Sequence, residues 1–485
     1  MRLTDEQKQL VHAQGRVIVG NAYAGTGKTS TLEARTRAHP AVRTLYLVFN
    51  KSVRNEAKAR FPRWVKVSTG HGAGYGSAGK VYADKLADSI NPWQLAQSGV
   101  LSKVPAGAEA IWADAVLRTL QNYLGSPDAE IHPKHVPLGP ADWSGPFAWA
   151  DPVMLVKDTR RLWRRMRDPQ DMTIGMLHDG YLKQFVLSQP KLPYDAIMFD
   201  EAQDANPVLL QLVGMQTHAQ QIYVGDPFQG IYGWRGAVNA MERIRADQTL
   251  RLTASFRFGA NIADTATRML RWFDRSLPPL RGLASNPGQV YAGVGEAPVT
   301  FLGRSNSRLF GAAVSALDKN PNTQLDWIGG IDGYRLDWLE DTARLWQNEP
   351  VKSPFLQLFR DFDTLQDYAE TVEDVEWLGR CRAVERWGAR LPGLIRRVKA
   401  ASRDPERATV RLSTIHKAKG LEWPHVVILD DMASLNDDLT PEDQHLWYVA
   451  ITRATERLGI PEDALARLRR KEGPPSGELV ERLGV

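Results

Sequence analysis

The sequence predicts a parallel α/β protein with helical insertions, and three observations carry that expectation. Short apolar runs recur, each followed by a stretch of helical character: Val17 to Val19, Leu45 to Phe49, Ala196 to Phe199, Ile222 to Val224, Val299 to Leu302 and Val426 to Leu429. Runs this short and apolar suit strands buried on both faces, as in parallel sheets. The first run leads into AYAGTGKT at 22–29, in strand, loop and helix order. Two stretches interrupt the pattern: 76–185, rich in Trp, Pro and basic residues, and 336–404, which reads as helices built on Leu, Trp and Arg.

At ~150 residues per domain, a chain of 485 residues is expected to form about three domains. A hydrophobic fraction of 43% and a charged fraction of 24% are those of a globular protein. Lys+Arg 61 against Asp+Glu 56 gives a net charge of +5, which permits a polyanionic partner without requiring one. The single cysteine, Cys381, excludes an intramolecular disulfide and a multi-cysteine zinc cluster, so a cytoplasmic location is expected. The start, MRLTDEQKQL, lacks the apolar stretch of a signal peptide, and no apolar run is long enough to span a bilayer, so no membrane role is expected. After Leu458 the tail contains GPPSGE, a turn-rich piece.

Chemistry first enters at 22–29. Glycines let backbone N–H groups face phosphates, the Lys28 ammonium reaches the terminal phosphates, and the Thr29 hydroxyl binds magnesium. Ala24, Gly25, Thr26, Gly27 and Ser30 complete the expected ATP-binding loop, with Ala22 standing where the general pattern has its first glycine. The Ala196 to Phe199 run ends in Asp200-Glu201-Ala202-Gln203. A carboxylate at a strand's carboxyl end can hold magnesium through water, the role expected of Asp200, while its neighbour Glu201 polarises the attacking water. An acidic pair after a strand is often only a solvated helix start. Beside the phosphate loop it predicts NTP hydrolysis, with ATP and Mg2+ as the cofactors.

Further segments follow in order: FNKSVRNEA at 49–57, STGHGAG at 68–74, GDPFQGIYGWRGA at 225–237, TASFRF at 253–258, RLSTIHKAKGLEWP at 411–424 and WYVAITRA at 447–454. With the phosphate loop and DEAQ, these resemble the motifs of the superfamily 1 DNA helicases of the UvrD, Rep and PcrA type. LHDGYLK at 177–183 and HKAKGLEW at 416–423 resemble the helicase core of the F-box DNA helicases. The phosphate loop lies near the first residue, with no F-box before it, so a compact bacterial or phage relative is expected.

The resemblance implies two RecA-like domains flanking ATP: 1–75 with 186–258, and 259–335 with 405–485. Segments 76–185 and 336–404 would be their helical insertions, the second much reduced. It implies that Gln7 reads the adenine and Phe256 stacks on it, that Gln229 senses the terminal phosphate, and that Arg257 and Arg453 offset charge in the transition state. Glu422 would approach the ribose, and Gly420 would let the backbone pass close by. Arg453, far along the chain from Lys28, would reach ATP on domain closure, and closure would become movement.

Single strands are held by phosphate contacts and aromatic platforms. Trp234, with Arg235 beside it, is the expected stacking residue. Tyr232 and, by resemblance, Phe49, Asn50, His71, Thr414 and His416 line the track, with packing a strong competitor for Tyr232 and Phe49. The run RRLWRRMR at 160–167 suggests phosphate contact or a solvated basic helix face, and His178 and Tyr181 are further candidates. The expected partners are single-stranded DNA and its junctions with duplex. The resemblance implies 3′ to 5′ unwinding; the rivals are a translocase that strips bound proteins, and a DNA-binding protein switched by ATP with negligible turnover.

Overall fold

The computed structural model describes residues 2–48, 51–139, 143, 147–231, 241, 244–353, 355–371, 374–436 and 438–470. The chain divides into two compact units, residues 1–22 with 27–252 and residues 23–26 with 253–485. Segment 253–258 therefore belongs to the second unit rather than the first. The last strand of the first sheet ends at Leu252, and Ala254–Ser255 pairs with Arg281–Gly282 instead.

The first unit is built on a six-stranded sheet in the order Lys66–Thr69, Thr44–Val48, Ala196–Asp200, Gln220–Gly225, Val17–Ala22, Gln248–Leu252. Every pairing in it is parallel. Alternate residues serve opposite faces, as the two-residue period of a strand requires. Ile18, Tyr46, Met198 and Ile222 pack with Leu10, Leu32 and Phe61 on one side. Val17, Val19, Leu45, Leu47, Ile197 and Phe199 join a core shared with Trp112, Leu120 and Trp163 of the 76–185 segment. That segment is mainly helical: Pro92–Gln97, Glu109–Gly125, Pro152–Arg167 and His178–Leu187, with a short strand pair, Leu86–Ala87 and Met176–Leu177.

Helix Pro152–Arg167 begins where Asp151 accepts the Met154 N–H at 2.7 Å and Pro152 takes a position that needs no donor. It carries the basic run, whose side chains are largely used internally. Arg160 donates to the Ile131 carbonyl at 2.7 Å, Arg161 to the Val100 carbonyl at 2.9 Å, Arg165 pairs with Asp171, and the Arg167 guanidinium lies 5.2 Å from the Trp163 ring centre. Part of the run thus fastens the loops of its own insertion.

The second unit's sheet runs Gln289–Ala292, Ala454–Ile460, Trp423–Ile428, Val299–Gly303, Val410–Thr414, Leu325–Trp327, again all parallel. Helices Leu336–Trp346, Phe362–Thr371, Val375–Trp387 and Leu391–Ala401 make up most of the 336–404 segment. Their Leu336, Leu339, Val384 and Ile395 share one core with Val299, Phe301, Leu412 and Val427. Cys381 is buried in that core. Past Leu458 the chain finishes its strand and forms helix Glu462–Arg469, while GPPSGE lies outside the described residues. Among the described residues no helix is long and apolar enough to cross a membrane.

Candidate functional site

In the first unit, Gly27 has φ 76° and ψ 37° at the start of helix Lys28–Ala38, a left-handed conformation that glycine adopts without steric cost. The next two side chains meet the carboxyl end of strand Ala196–Asp200. Lys28 Nζ lies 3.6 Å from Glu201 Oε1, and Thr29 Oγ1 donates to Asp200 Oδ2 at 3.0 Å. The Tyr46 hydroxyl donates to the same Asp200 oxygen, and the Glu201 N–H donates to Asp200 Oδ1 at 2.9 Å. Ser30 Oγ accepts from Arg60 at 2.9 Å.

Asp200 is 2% exposed. Burial, followed by the neighbouring Glu201 charge, holds its carboxyl above the ordinary range, and the Tyr46 bond and Lys28 oppose the rise. Burial likewise pushes the Tyr46 phenol well up. Glu201 has φ 53°, a conformation uncommon for a non-glycine residue. That geometry stands at the one position where the sequence placed a water-activating group.

Gln203 Nε2 donates to Glu201 Oε2 at 2.6 Å, and its Oε1 accepts the Asp226 N–H at 3.0 Å. Asp226 is fully buried and accepts the Gln229 amide at 2.6 Å. Burial raises the Asp226 carboxyl, against the opposing charge of Lys28. Sequence reasoning missed Tyr46, Gln203 and Asp226. The last two stand inside quoted motifs, DEAQ and GDPFQG, and could have been flagged as buried polar groups needing partners. Tyr46 gave no signal beyond its inward strand position.

Gln7 closes a capping box: its Oε1 accepts the Thr4 N–H at 3.0 Å while its own N–H donates to Thr4 Oγ1 at 3.2 Å. It is 2% exposed. His71 Nε2 lies 2.8 Å from Asp179 Oδ1 and faces the His178 and Tyr181 rings edge-on. The structure thus joins STGHGAG to LHDGYLK.

Residues Tyr23–Thr26 group with the second unit. The Ala24 N–H donates to the Tyr448 hydroxyl at 3.1 Å, and the Phe256 N–H to the Gly25 carbonyl at 2.8 Å. Thr26 Oγ1 donates to the Tyr23 carbonyl at 2.8 Å. Gly25 has φ 72°, and a Cβ there would lie 2.5 Å from Ser255 Oγ and 2.6 Å from Arg257 Cβ, so the position admits only glycine. Arg257 pairs with Glu422 and donates to the Thr452 carbonyl at 2.9 Å. Arg453, 1% exposed, donates to the carbonyls of Val449 at 3.0 Å and Leu421 at 3.2 Å, and to Thr452 Oγ1 at 3.0 Å. Gly420 has φ 84° with open space where a side chain would stand. Thr414 Oγ1 accepts the Lys417 N–H at the head of helix Ile415–Ala418, which carries His416. Phe49, Asn50, Tyr232, Trp234 and Arg235 lie outside the described residues.

Comparison with known families fits these two groupings. Residues 149–246 match the UvrD/REP helicase N-terminal domain, and residues 409–460 match the UvrD-like helicase C-terminal domain. The chain thus carries segments similar to both the N-terminal and the C-terminal domains of UvrD-like helicases. It is 31% identical to F-box DNA helicase 1 of Gallus gallus over 94% of this chain and 49% of that protein. It is 28% identical to F-box DNA helicase protein 1 of Schizosaccharomyces pombe over 96% of this chain and 58% of the relative. DNA helicase II of Haemophilus influenzae is 32% identical over 18% of this chain and 13% of its own length. The chain thus spans about half the length of the two F-box relatives, and these eukaryotic proteins lend no support to a bacterial or phage source. Both units have the parallel α/β build of RecA-like folds.

Proposed function

We propose that the chain is an ATP-driven motor that moves 3′ to 5′ along single-stranded DNA and unwinds duplex at the junction. The observation that carries this reading is the assembly of Lys28, Thr29, Asp200 and Glu201 at the end of one strand, in a chain whose relatives are named DNA helicases. The donor set fits magnesium, a hard cation served by carboxylate and hydroxyl oxygens. Thr29 and Asp200 would hold it. When bound, that ion neutralises charge on the transferring phosphoryl group.

The chain's own residues do the rest. Lys28 supplies a point charge to the phosphates, and Glu201 orients and polarises the attacking water. Gln7 and Phe256 receive the base, Gln229 answers the terminal phosphate, and Glu422 and Gly420 receive the sugar side. Arg257 and Arg453 bring positive charge to the transition state. Phe49, Asn50, His71, Tyr232, Trp234, Arg235, Thr414 and His416 hold the strand.

The test is steady-state ATP hydrolysis with and without single-stranded DNA. Strong stimulation is expected, because the motifs proposed to grip DNA and those proposed to grip phosphate alternate along the chain. Equal turnover in both conditions would remove the proposed coupling.

A further inference from the structure

Beneath Glu201 and Gln229 runs a chain of hydrogen bonds whose middle members have no role in the reading above. Gln203 is 1% exposed, and its amide is committed at both ends. Nε2 donates to Glu201 Oε2 at 2.6 Å and lies 3.3 Å from Asp204 Oδ2; Oε1 accepts the Asp226 N–H at 3.0 Å. A carboxylate can only accept and a backbone N–H can only donate, so the flip of this amide is fixed from both sides. Asp226 continues the chain, with Oδ2 taking the Gln229 amide at 2.6 Å and Oδ1 the Phe228 N–H at 3.1 Å. The same rule turns the Gln229 NH2 towards Asp226.

The packing is as specific as the bonding. A Cβ at Gly225 would stand 2.3 Å from Gln203 Oε1 and 3.1 Å from both the Ala202 and Gln203 nitrogens. The glycine lets the Gln203 amide lie against the backbone end of strand Gln220–Gly225. Glu201, which needs this support most, sits in its left-handed conformation at one end of the chain. Its side chain is 34% exposed. A carboxylate so open to solvent has rotamers to choose from, and the Gln203 donor at 2.6 Å favours the one seen here.

We propose that Gln203 and Asp226 are positioning residues that join the Glu201 carboxylate and the Gln229 amide into one hydrogen-bonded unit, so that the group orienting water and the group meeting the terminal phosphate are set together. This rests on the hydrolytic reading of Glu201. Gln203 touches neither water nor phosphate in this scheme and acts through its neighbours. Misplacing a reacting group by about 1 Å can cost ~10²-fold in rate, and rotation of Glu201 about its side chain is a displacement of that size.

The experiment is a double-mutant cycle on the full chain, reading kcat and KM for ATP with single-stranded DNA present, alongside melting temperature. Gln203→Met keeps the volume and removes both bonds; Gln203→Glu keeps the acceptor for Asp226 and removes the donor to Glu201, and stands in if the first fails to fold. Either variant should lower kcat roughly 10- to 100-fold with KM nearly unchanged. In a Glu201→Gln background the same change should have little further effect, because the group it positions is gone. An equal fractional loss in both backgrounds would show a merely structural glutamine and overturn the proposal. If Glu201→Gln alone turned over like the wild type, the hydrolytic reading itself would fall, and this inference with it.

Discussion

In the first unit the functional charges are carboxylates withdrawn from water: Asp200 and Asp226 are 2% and 0% exposed, answered by the donors of Tyr46, Thr29 and Gln229. In the second unit the corresponding buried residue is an arginine. Arg453 is 1% exposed and donates to the Val449 and Leu421 carbonyls and the Thr452 hydroxyl, among other contacts, while the more open Arg257 shares itself between Glu422 and a carbonyl. The first unit's cluster therefore offers carboxylates suited to a cation beside the Lys28 ammonium, and the second unit adds two arginines suited to a phosphoryl group.

If that contrast is right, Arg453→Ala should lower turnover by ~10³- to 10⁵-fold, the range for an arginine supplied to a phosphoryl transition state, with a much smaller change in ATP affinity. Single-turnover hydrolysis and nucleotide titration on one preparation check this. A loss confined to affinity would make Arg453 a binding residue and break the contrast. Glu201→Gln should cut turnover by ~10²- to 10⁴-fold, as expected for loss of a general base, while still binding ATP. Lys28→Ala should instead cripple binding.

A smaller effect concerns DNA. Trp234→Ala should weaken single-strand affinity by ~1 to 3 kcal/mol, the worth of one stacked base, with basal ATP hydrolysis retained. DNA titration and melting temperature separate this from a packing role, which would lower stability and every activity together.

The smallest effect reads the cost of the buried acid directly. Folding raises the Asp200 carboxyl above its ordinary range, so the folded state binds the proton more tightly than the unfolded chain. Its contribution to stability is greatest when protonated and is lost as pH rises through the raised value. Asp200→Asn should therefore melt higher than the wild type without nucleotide, by about 2 to 4 °C per ~1 kcal/mol relieved, and the gain should grow from acid towards neutral pH. An unchanged or lowered melting temperature at neutral pH would mean that the carboxylate is well accommodated as it stands.

Much of this was legible because the local pattern and the global fold agree. Each expected apolar run from Val17 to Val426 became, or lay mostly within, a strand of one of two parallel sheets, since runs of that kind need cover on both faces. Strands such as Lys66–Thr69 and Gln248–Leu252 were missed because they are mixed in polarity and end the first sheet on either side. The division between units was misplaced by a few residues, because TASFRF is a turn-rich piece whose pairing partner, Arg281–Gly282, is itself only two residues long. At the site, the phosphate loop and DEAQ could be read from spacing. Tyr46 could not, because its contact with Asp200 is set by strand register, while Gln203 and Asp226 stood inside the motifs and were passed over. The internal partners of Arg160, Arg161, Arg165 and Arg167 were not legible, because composition does not show which carbonyls, carboxylates or rings they will find.

The central claim is directed movement on single-stranded DNA driven by ATP, and unwinding of matched duplexes bearing either a 3′ or a 5′ single-stranded tail, with ATP and magnesium, tests it most directly. Separation of the 3′-tailed substrate is expected, with little of the 5′-tailed one and none of either with Glu201→Gln. Separation of the 5′-tailed substrate alone, or equal separation without ATP, would contradict it.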